Sequence, residues 1–230
     1  MEDASNSWSS VSLTHIQYPT GDVIGYVLAW ASLLPIFIFV SISTLILFRR
    51  DLHTICMGIG VLLNEALNKI LKRLIADERP LVPGRHNHHG YGMPSDHSQY
   101  MAFFSLYCLL FLYFRTHRTD TIIGKFWKVS MGTTVVAAAA FCCYSRYYLL
   151  YHTAMQVYGG ILVGLFSGLI WFICVHLIFT PHFSYITSWK VCEFLLIRDY
   201  TLIPNTLWFE YCQVRTEARA RMRKQNTRNQ

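Results

Sequence analysis

Apolar residues come in long uninterrupted blocks along this chain, and the blocks predict membrane-crossing helices. Val23 to Phe48 holds no Asp, Glu, Lys or Arg and stops at Arg49-Arg50; Thr153 to Phe179 is equally free of them. About 20 such residues cover the hydrocarbon core of a bilayer. Ser98 to Phe114 and Val129 to Tyr144 are shorter and are bounded on their basic sides by Arg115 and Lys128. Local thinning of the bilayer and snorkelling flanks accommodate short spans, so all four are expected to cross.

The block from Ile55 to Ile75 is interrupted by Asn64, Glu65, Asn68, Lys69 and Lys72. Glu65, Lys69 and Lys72 share one helical face. Either this helix lies in the interface, or it crosses with its ionisable face turned into the bundle, where such groups mark function. Crossing gives the consistent topology. With five spans, Arg49, Arg50, Arg115, Arg118, Lys125, Lys128 and the basic tail from Lys190 to Arg228 fall on one side, which the positive-inside rule makes cytosolic. The N-terminus then faces the lumen or exterior, and the first apolar run starts too late to be a cleaved signal and acts as an anchor.

Composition supports this picture. The 230 residues are 53% hydrophobic and only 14% charged, with a net charge of +7, where soluble domains carry about 25% charged residues. Mean hydropathy is +0.30. Both values argue against a soluble enzyme and against a disordered chain. The seven cysteines lie in or beside spans or in the tail, with no CxxC, which reads as soft packing rather than a disulfide or thiolate metal framework. The expectation is an all-α bundle of about five transmembrane helices. It divides into an N-terminal lumenal segment (1–22), a membrane domain (23–180) and a basic C-terminal segment (181–230).

Three polar clusters fall together on the non-cytosolic face: Lys72 to Arg79-Pro80, Pro94-Ser95-Asp96-His97, and Ser145-Arg146 to His152. Singly, Arg79-Pro80 reads as a helix stop, Arg146 as a headgroup contact and the histidines as interfacial residues. Jointly they supply fixed cations, a hydroxyl and two imidazoles, which is what phosphoryl transfer requires. Lys and Arg stabilise charge on the equatorial oxygens; one histidine can attack phosphorus and another protonate the leaving oxygen near neutral pH. Backbone N–H groups and Ser95 at a helix start complete an anion site.

These segments, K-x6-R-P, P-S-x-H and S-R-x5-H, resemble the signature of the type 2 phosphatidic acid phosphatase (PAP2) superfamily. Within it, the sequence is similar to the dolichyldiphosphatase family at Leu13-Thr14-His15, Tyr91-Gly92-Met93-Pro94, Tyr148 to Thr153, Leu196-Ile197-Arg198-Asp199 and Leu202 to Tyr211. The resemblance implies a multispanning endoplasmic reticulum enzyme that hydrolyses dolichyl diphosphate to dolichyl phosphate at the lumenal face, recycling the carrier of protein N-glycosylation. It implies His152 as nucleophile through a phosphohistidine, His97 as general acid, and Lys72, Arg79, Ser95 and Arg146 as phosphate ligands. It implies no metal and no cofactor.

Two positions depart from the superfamily pattern. Asp96 stands where a small residue is usual, and a carboxylate 4 Å from phosphate is repelled by about 4 kcal/mol per charge pair at an effective dielectric of 20. Either Asp96 turns away or is neutralised by Arg79, Arg146 or His97, or it serves as a helix N-cap, a role Asp favours. Gln156 stands where an Asp orients the nucleophile; Gln can fix a tautomer but not offset imidazolium charge. Glu65, Asp77 and Asp96 are the carboxylates that can take that part.

His86-Asn87-His88-His89 lies among Gly and Pro, so a solvated loop competes with a zinc site, which needs three or four placed ligands. Gly160, Gly164 and Gly168 allow close helix approach, within the chain or in a dimer; the sequence fixes no oligomeric state. The basic tail suits anionic lipid headgroups or a solvated positive flank, and no nucleic-acid module stands behind it. Trp189, Trp208, Phe209 and Tyr211 suit an interfacial segment. Rival functions are a phosphatase of shorter lipid phosphates, a lipid-diphosphate binding protein that has lost turnover through Asp96 and Gln156, and a channel or structural bundle.

Overall fold

The computed structural model describes residues 8–11, 16–82, 90–115, 122–203 and 206–228. Within the expected N-terminal segment, β1 (Trp8–Val11) and β2 (Ile16–Pro19) pair antiparallel, Ser9 opposite Tyr18 and Ser10 opposite Gln17. This hairpin was not foreshadowed by the hydrophobic pattern. It packs Ile16 with Leu28, Ala29, Leu33, Leu149 and Tyr151.

The first apolar block is one path in two helices, α1 (Val23–Ala31) and α2 (Leu34–Arg49). Pro35 sits in the first turn of α2, where its missing N–H and its ring are tolerated, whereas in a continuous helix it would break the ladder. The junction residue Ser32 is buried and its Oγ lies 2.9 Å from Ser145 Oγ. α3 (Leu52–Ile75) starts from Asp51, whose carboxylate accepts from Thr54 N at 2.9 Å, and stops at Ala76 in the left-handed region. Then follow α4 (Asp96–Phe114), α5 (Ile122–Tyr148) and α6 (Ala154–Ile173). A π-helical turn (Cys174–Phe179) and a 3-10 turn (Thr180–His182) lead into α7 (Phe183–Thr187), α8 (Lys190–Phe194) and α9 (Thr206–Arg228).

Among the described residues, four stretches are long and apolar enough to cross a membrane: Val23–Arg49, Leu52–Ile75, Ile122–Tyr148 and Ala154–Thr187. The interrupted second block is one of them. α4 falls short of that measure because its first turn is Asp96-His97-Ser98-Gln99; the rest is apolar, and Met101, Phe103 and Tyr107 make it the buried centre of the bundle. The exterior is apolar: Leu162 and Phe166 are each 68% exposed, and Phe48 80%. Contiguous apolar surface on this scale suits lipid, not water.

α6 lies flush on α4 through its glycines. A Cβ at Gly160 would come 2.6 Å from the Ser95 carbonyl oxygen, and one at Gly164 2.3 Å from that of Gln99. Small residues here let two backbones meet, and the partner is α4 of the same chain. At the opposite end of the bundle, Leu196-Ile197-Arg198-Asp199 folds back on the α2–α3 turn. Arg198 N donates to the Arg50 carbonyl at 2.8 Å and its own carbonyl accepts from Leu52 N at 3.2 Å. Arg115 Nη2 meets His53 Nε2 at 2.9 Å there. Arg49, Arg50, Arg115 and Arg198 thus gather at the end away from the three polar clusters.

Candidate active site

The left-handed turn at Ala76 swings the chain off α3 and across the bundle end. Gly92 N donates to the Asp77 carbonyl at 2.7 Å, and Glu78 bridges Tyr91 antiparallel. Arg79 Nε donates to the Tyr91 carbonyl at 3.4 Å. The returning strand is pinned to α6 by Ser95 N, which donates to the Gln156 carbonyl at 3.1 Å. Beneath it, Asn68 Nδ2 donates to Gln99 Oε1 (2.8 Å) and the Pro94 carbonyl (3.3 Å), while Gln99 Nε2 donates to Asn64 Oδ1 (2.9 Å). Ser167 Oγ donates to the same Asn64 oxygen. Buried amides are costly unless paired; paired as here, they lock α3, α4 and α6 into one register.

The S-R-x5-H spacing has a local cause. Leu150 is in the left-handed region, so the chain reverses at the end of α5 and the Arg146 carbonyl accepts from both Tyr151 N (3.1 Å) and His152 N (3.2 Å). Thr153 then caps α6 in a capping box with Gln156. His152 is held between two helix ends and is 1% exposed.

Asp96 is the hub of the cluster. Its Oδ1 lies 3.6 Å from Lys72 Nζ and 3.6 Å from His152 Nε2, and its Oδ2 lies 3.4 Å from His97 Nδ1. The N-cap expectation for Asp96 is corrected: Ser95 holds that backbone position, and Asp96 is the first helical residue with its carboxylate turned into the site. Its neighbours are Lys72 and the two imidazoles. Ser95 is fully buried, and its hydroxyl accepts from Ser98 Oγ at 3.1 Å. Arg146 is 4% exposed, with its guanidinium 4.1 Å over the Tyr151 ring. The Tyr151 hydroxyl accepts in turn from Gln17 N at 2.9 Å, tying β2 to the site.

His152 Nδ1 lies 3.2 Å from Gln156 Oε1. Gln156 Nε2 donates to Asp77 Oδ2 and to the Glu78 carbonyl, both at 2.7 Å, so its oxygen must face the imidazole. That network assigns the proton to Nδ1 and leaves the Nε2 lone pair facing the cluster. Burial pushes the His152 pKa down to about 4, against the pull of Asp96 and with the help of the Arg146 and Arg79 charges. The imidazole is therefore neutral at pH 7. Of the carboxylates weighed for orienting it, Asp77 stands behind Gln156, Asp96 faces the other nitrogen, and Glu65 takes no part.

The shared-face expectation for α3 is corrected as well. Glu65 and Lys69 pair at 3.8 Å on the surface, 42% and 70% exposed. The inward polar face is Asn64, Asn68 and Lys72, an i, i+4, i+8 series legible in the sequence but masked by the charges beside it. Tyr151 and Gln99 were also missed, having no signal beyond their place next to the motifs. His86, His88 and His89, with Leu13 to His15, lie outside the described residues.

A lipid-facing helical bundle with two imidazoles, a lysine and a buried arginine converging at one end is a membrane protein whose polar site suits an anion. The chain belongs to the PAP2 superfamily, whose family model matches residues 53–179. It is 49% identical over 229 residues to dolichyldiphosphatase 1 of Homo sapiens, covering 97% of this chain and 95% of that protein. It is 37% identical to dolichyldiphosphatase 1 of Dictyostelium discoideum (89% and 88% covered) and 32% identical to the dolichyldiphosphatase of Saccharomyces cerevisiae (86% and 84%). No solved structure matches it.

Proposed function

We propose that this protein hydrolyses dolichyl diphosphate to dolichyl phosphate and inorganic phosphate, without a metal or other cofactor. The similarity to dolichyldiphosphatases over nearly the whole chain supports the substrate. The observation that carries the chemistry is the neutral, buried His152 whose Nδ1 is fixed by Gln156 and whose Nε2 faces the cluster of Asp96, Lys72 and His97. In the proposed reaction His152 Nε2 attacks the terminal phosphorus, and the bond to the bridging oxygen breaks with its electrons on dolichyl phosphate. His97 donates a proton to that oxygen through the nitrogen not turned to Asp96. Water then attacks the phosphohistidine, His97 takes its proton, and phosphate leaves with His152 restored. Lys72, Arg79, Arg146 and the Ser95 region hold the phosphoryl oxygens.

A polyprenyl chain stays in the bilayer while its diphosphate reaches the bundle end, so the substrate need not leave the headgroup layer. The basic residues at the opposite end favour a cytosolic orientation there. This supports a lumenal site in the endoplasmic reticulum, where dolichyl phosphate serves protein N-glycosylation, with residues 23–180 as the catalytic membrane domain and 181–230 as the cytosolic flank.

The test is phosphate release from dolichyl diphosphate by the purified full chain in detergent with EDTA. Release that survives EDTA and disappears in His152→Ala is expected. Substrate binding without release, by a folded protein, would overturn the reading in favour of a binding protein.

A further inference from the structure

Three polar atoms around the cluster are buried without a hydrogen-bond partner: Asp96 Oδ1, His152 Nε2 and Arg146 Nε. Buried polar atoms are normally satisfied, and those that are not call for a missing partner. The Asp96 oxygen lies 3.6 Å from Lys72 Nζ and the same distance from His152 Nε2. These are the two neighbours that a phosphoryl group needs when the imidazole attacks it: a point charge on an oxygen and a lone pair in line with phosphorus.

We propose that Asp96 is an internal anion that occupies the position of the substrate's terminal phosphoryl group, and so competes with any phosphoryl ligand and weakens retention of the product phosphate. This rests on the reaction assigned above. Any phosphoryl ligand must displace the carboxylate from Lys72 and then sit beside it, and like charges at such distances repel. Inorganic phosphate, the product that leaves this position last, must meet that repulsion throughout its stay. The product phosphate is thereby released readily. Among the described residues, the ionisable groups paired with Asp96 are Lys72, His97 and His152, with Arg146 within its field.

The experiment compares the unaltered chain with Asp96→Asn, Asp96→Ser and Asp96→Glu, all purified in detergent and checked for folding by thermal midpoint. Turnover of dolichyl diphosphate and its inhibition by inorganic phosphate are measured. In Asp96→Asn and Asp96→Ser, phosphate inhibition tightens at least tenfold; Asp96→Glu keeps the weak phosphate affinity. A change below threefold in both neutral variants overturns the proposal. So does loss of turnover without a gain in phosphate affinity, which would assign Asp96 to positioning His97. Should the unaltered chain release no phosphate, the assigned reaction falls. Orthovanadate stabilisation of the thermal midpoint, which needs no turnover, then decides Asp96 alone: a larger shift in the neutral variants upholds it, and equal shifts overturn it.

Discussion

Gln156 Oε1 lies 3.2 Å from His152 Nδ1 while the same amide donates to Asp77 Oδ2 at 2.7 Å. A neutral amide therefore stands between the histidine and the carboxylate behind it. The relay orients the imidazole without placing a charge against it, which accords with a pKa pushed down to about 4 by burial.

Gln156→Ala removes the acceptor for Nδ1–H and frees the ring to choose its tautomer. Losing an orienting partner of this kind typically costs 10- to 100-fold. We expect kcat to fall by about that factor with KM little changed. Asp77→Asn, which keeps a hydrogen-bonding group behind the amide, should cost less than Gln156→Ala. Steady-state kinetics on dolichyl diphosphate check the order, and equal losses would mean that the relay needs the charge of Asp77 and not only its hydrogen bond.

The low His152 pKa also predicts how stability depends on pH. Between about pH 4 and the usual value near 6.5, the unfolded chain binds a proton at this site that the folded chain does not. Stability therefore rises with pH across that window and falls on acidification, by about 1.4 kcal/mol per pH unit from this group at the steepest. Thermal midpoints at pH 7 and pH 5 should separate more for the unaltered protein than for His152→Ala. An equal separation would mean that His152 titrates in the folded chain as it does in the unfolded one.

How much of this was legible beforehand differs by element. The spans and the order of the three clusters follow from hydrophobic blocks and from spacing, because lipid and helix geometry act on every residue alike. The break at Ser32-Leu33 needed the meaning of Pro35, which reads equally as a kink or a helix start. Asp96 illustrates a harder limit: an Asp next to a Ser at a helix start fits the cap position by propensity, and only the backbone decides which of the two is the cap. Asn64 and Asn68 were visible as letters, but their pairing with Gln99 depends on how α3, α4 and α6 rotate together, which no local pattern specifies.

Gly164→Ala tests that packing directly. Its new Cβ would approach the Gln99 carbonyl oxygen to 2.3 Å, and backbone on both sides leaves nothing flexible to yield. Overpacking of this kind costs about 1–3 kcal/mol, and it also shifts the start of α4 against the start of α6. We expect a lowered thermal midpoint together with reduced kcat. Gly159, where the nearest neighbour is the end of the Met93 side chain at 3.0 Å, should accept Ala with a much smaller loss.

The last prediction concerns the N-terminal hairpin, which reaches the site through Tyr151. Tyr151 holds the Arg146 guanidinium 4.1 Å from its ring and accepts a hydrogen bond from Gln17 N of β2. A desolvated cation–ring contact contributes about 2 kcal/mol, and the same ring belongs to the apolar cluster that seats β2 against α1 and the α5–α6 turn. Tyr151→Phe keeps the ring and loses the hydroxyl, so it should leave kcat/KM within a few-fold while loosening the hairpin, read as faster amide exchange at Gln17. Tyr151→Ala removes the platform as well, and kcat/KM should fall by at least tenfold because Arg146 is no longer held in place. If the two variants lose activity equally, the hairpin contact, not the ring, is what positions Arg146.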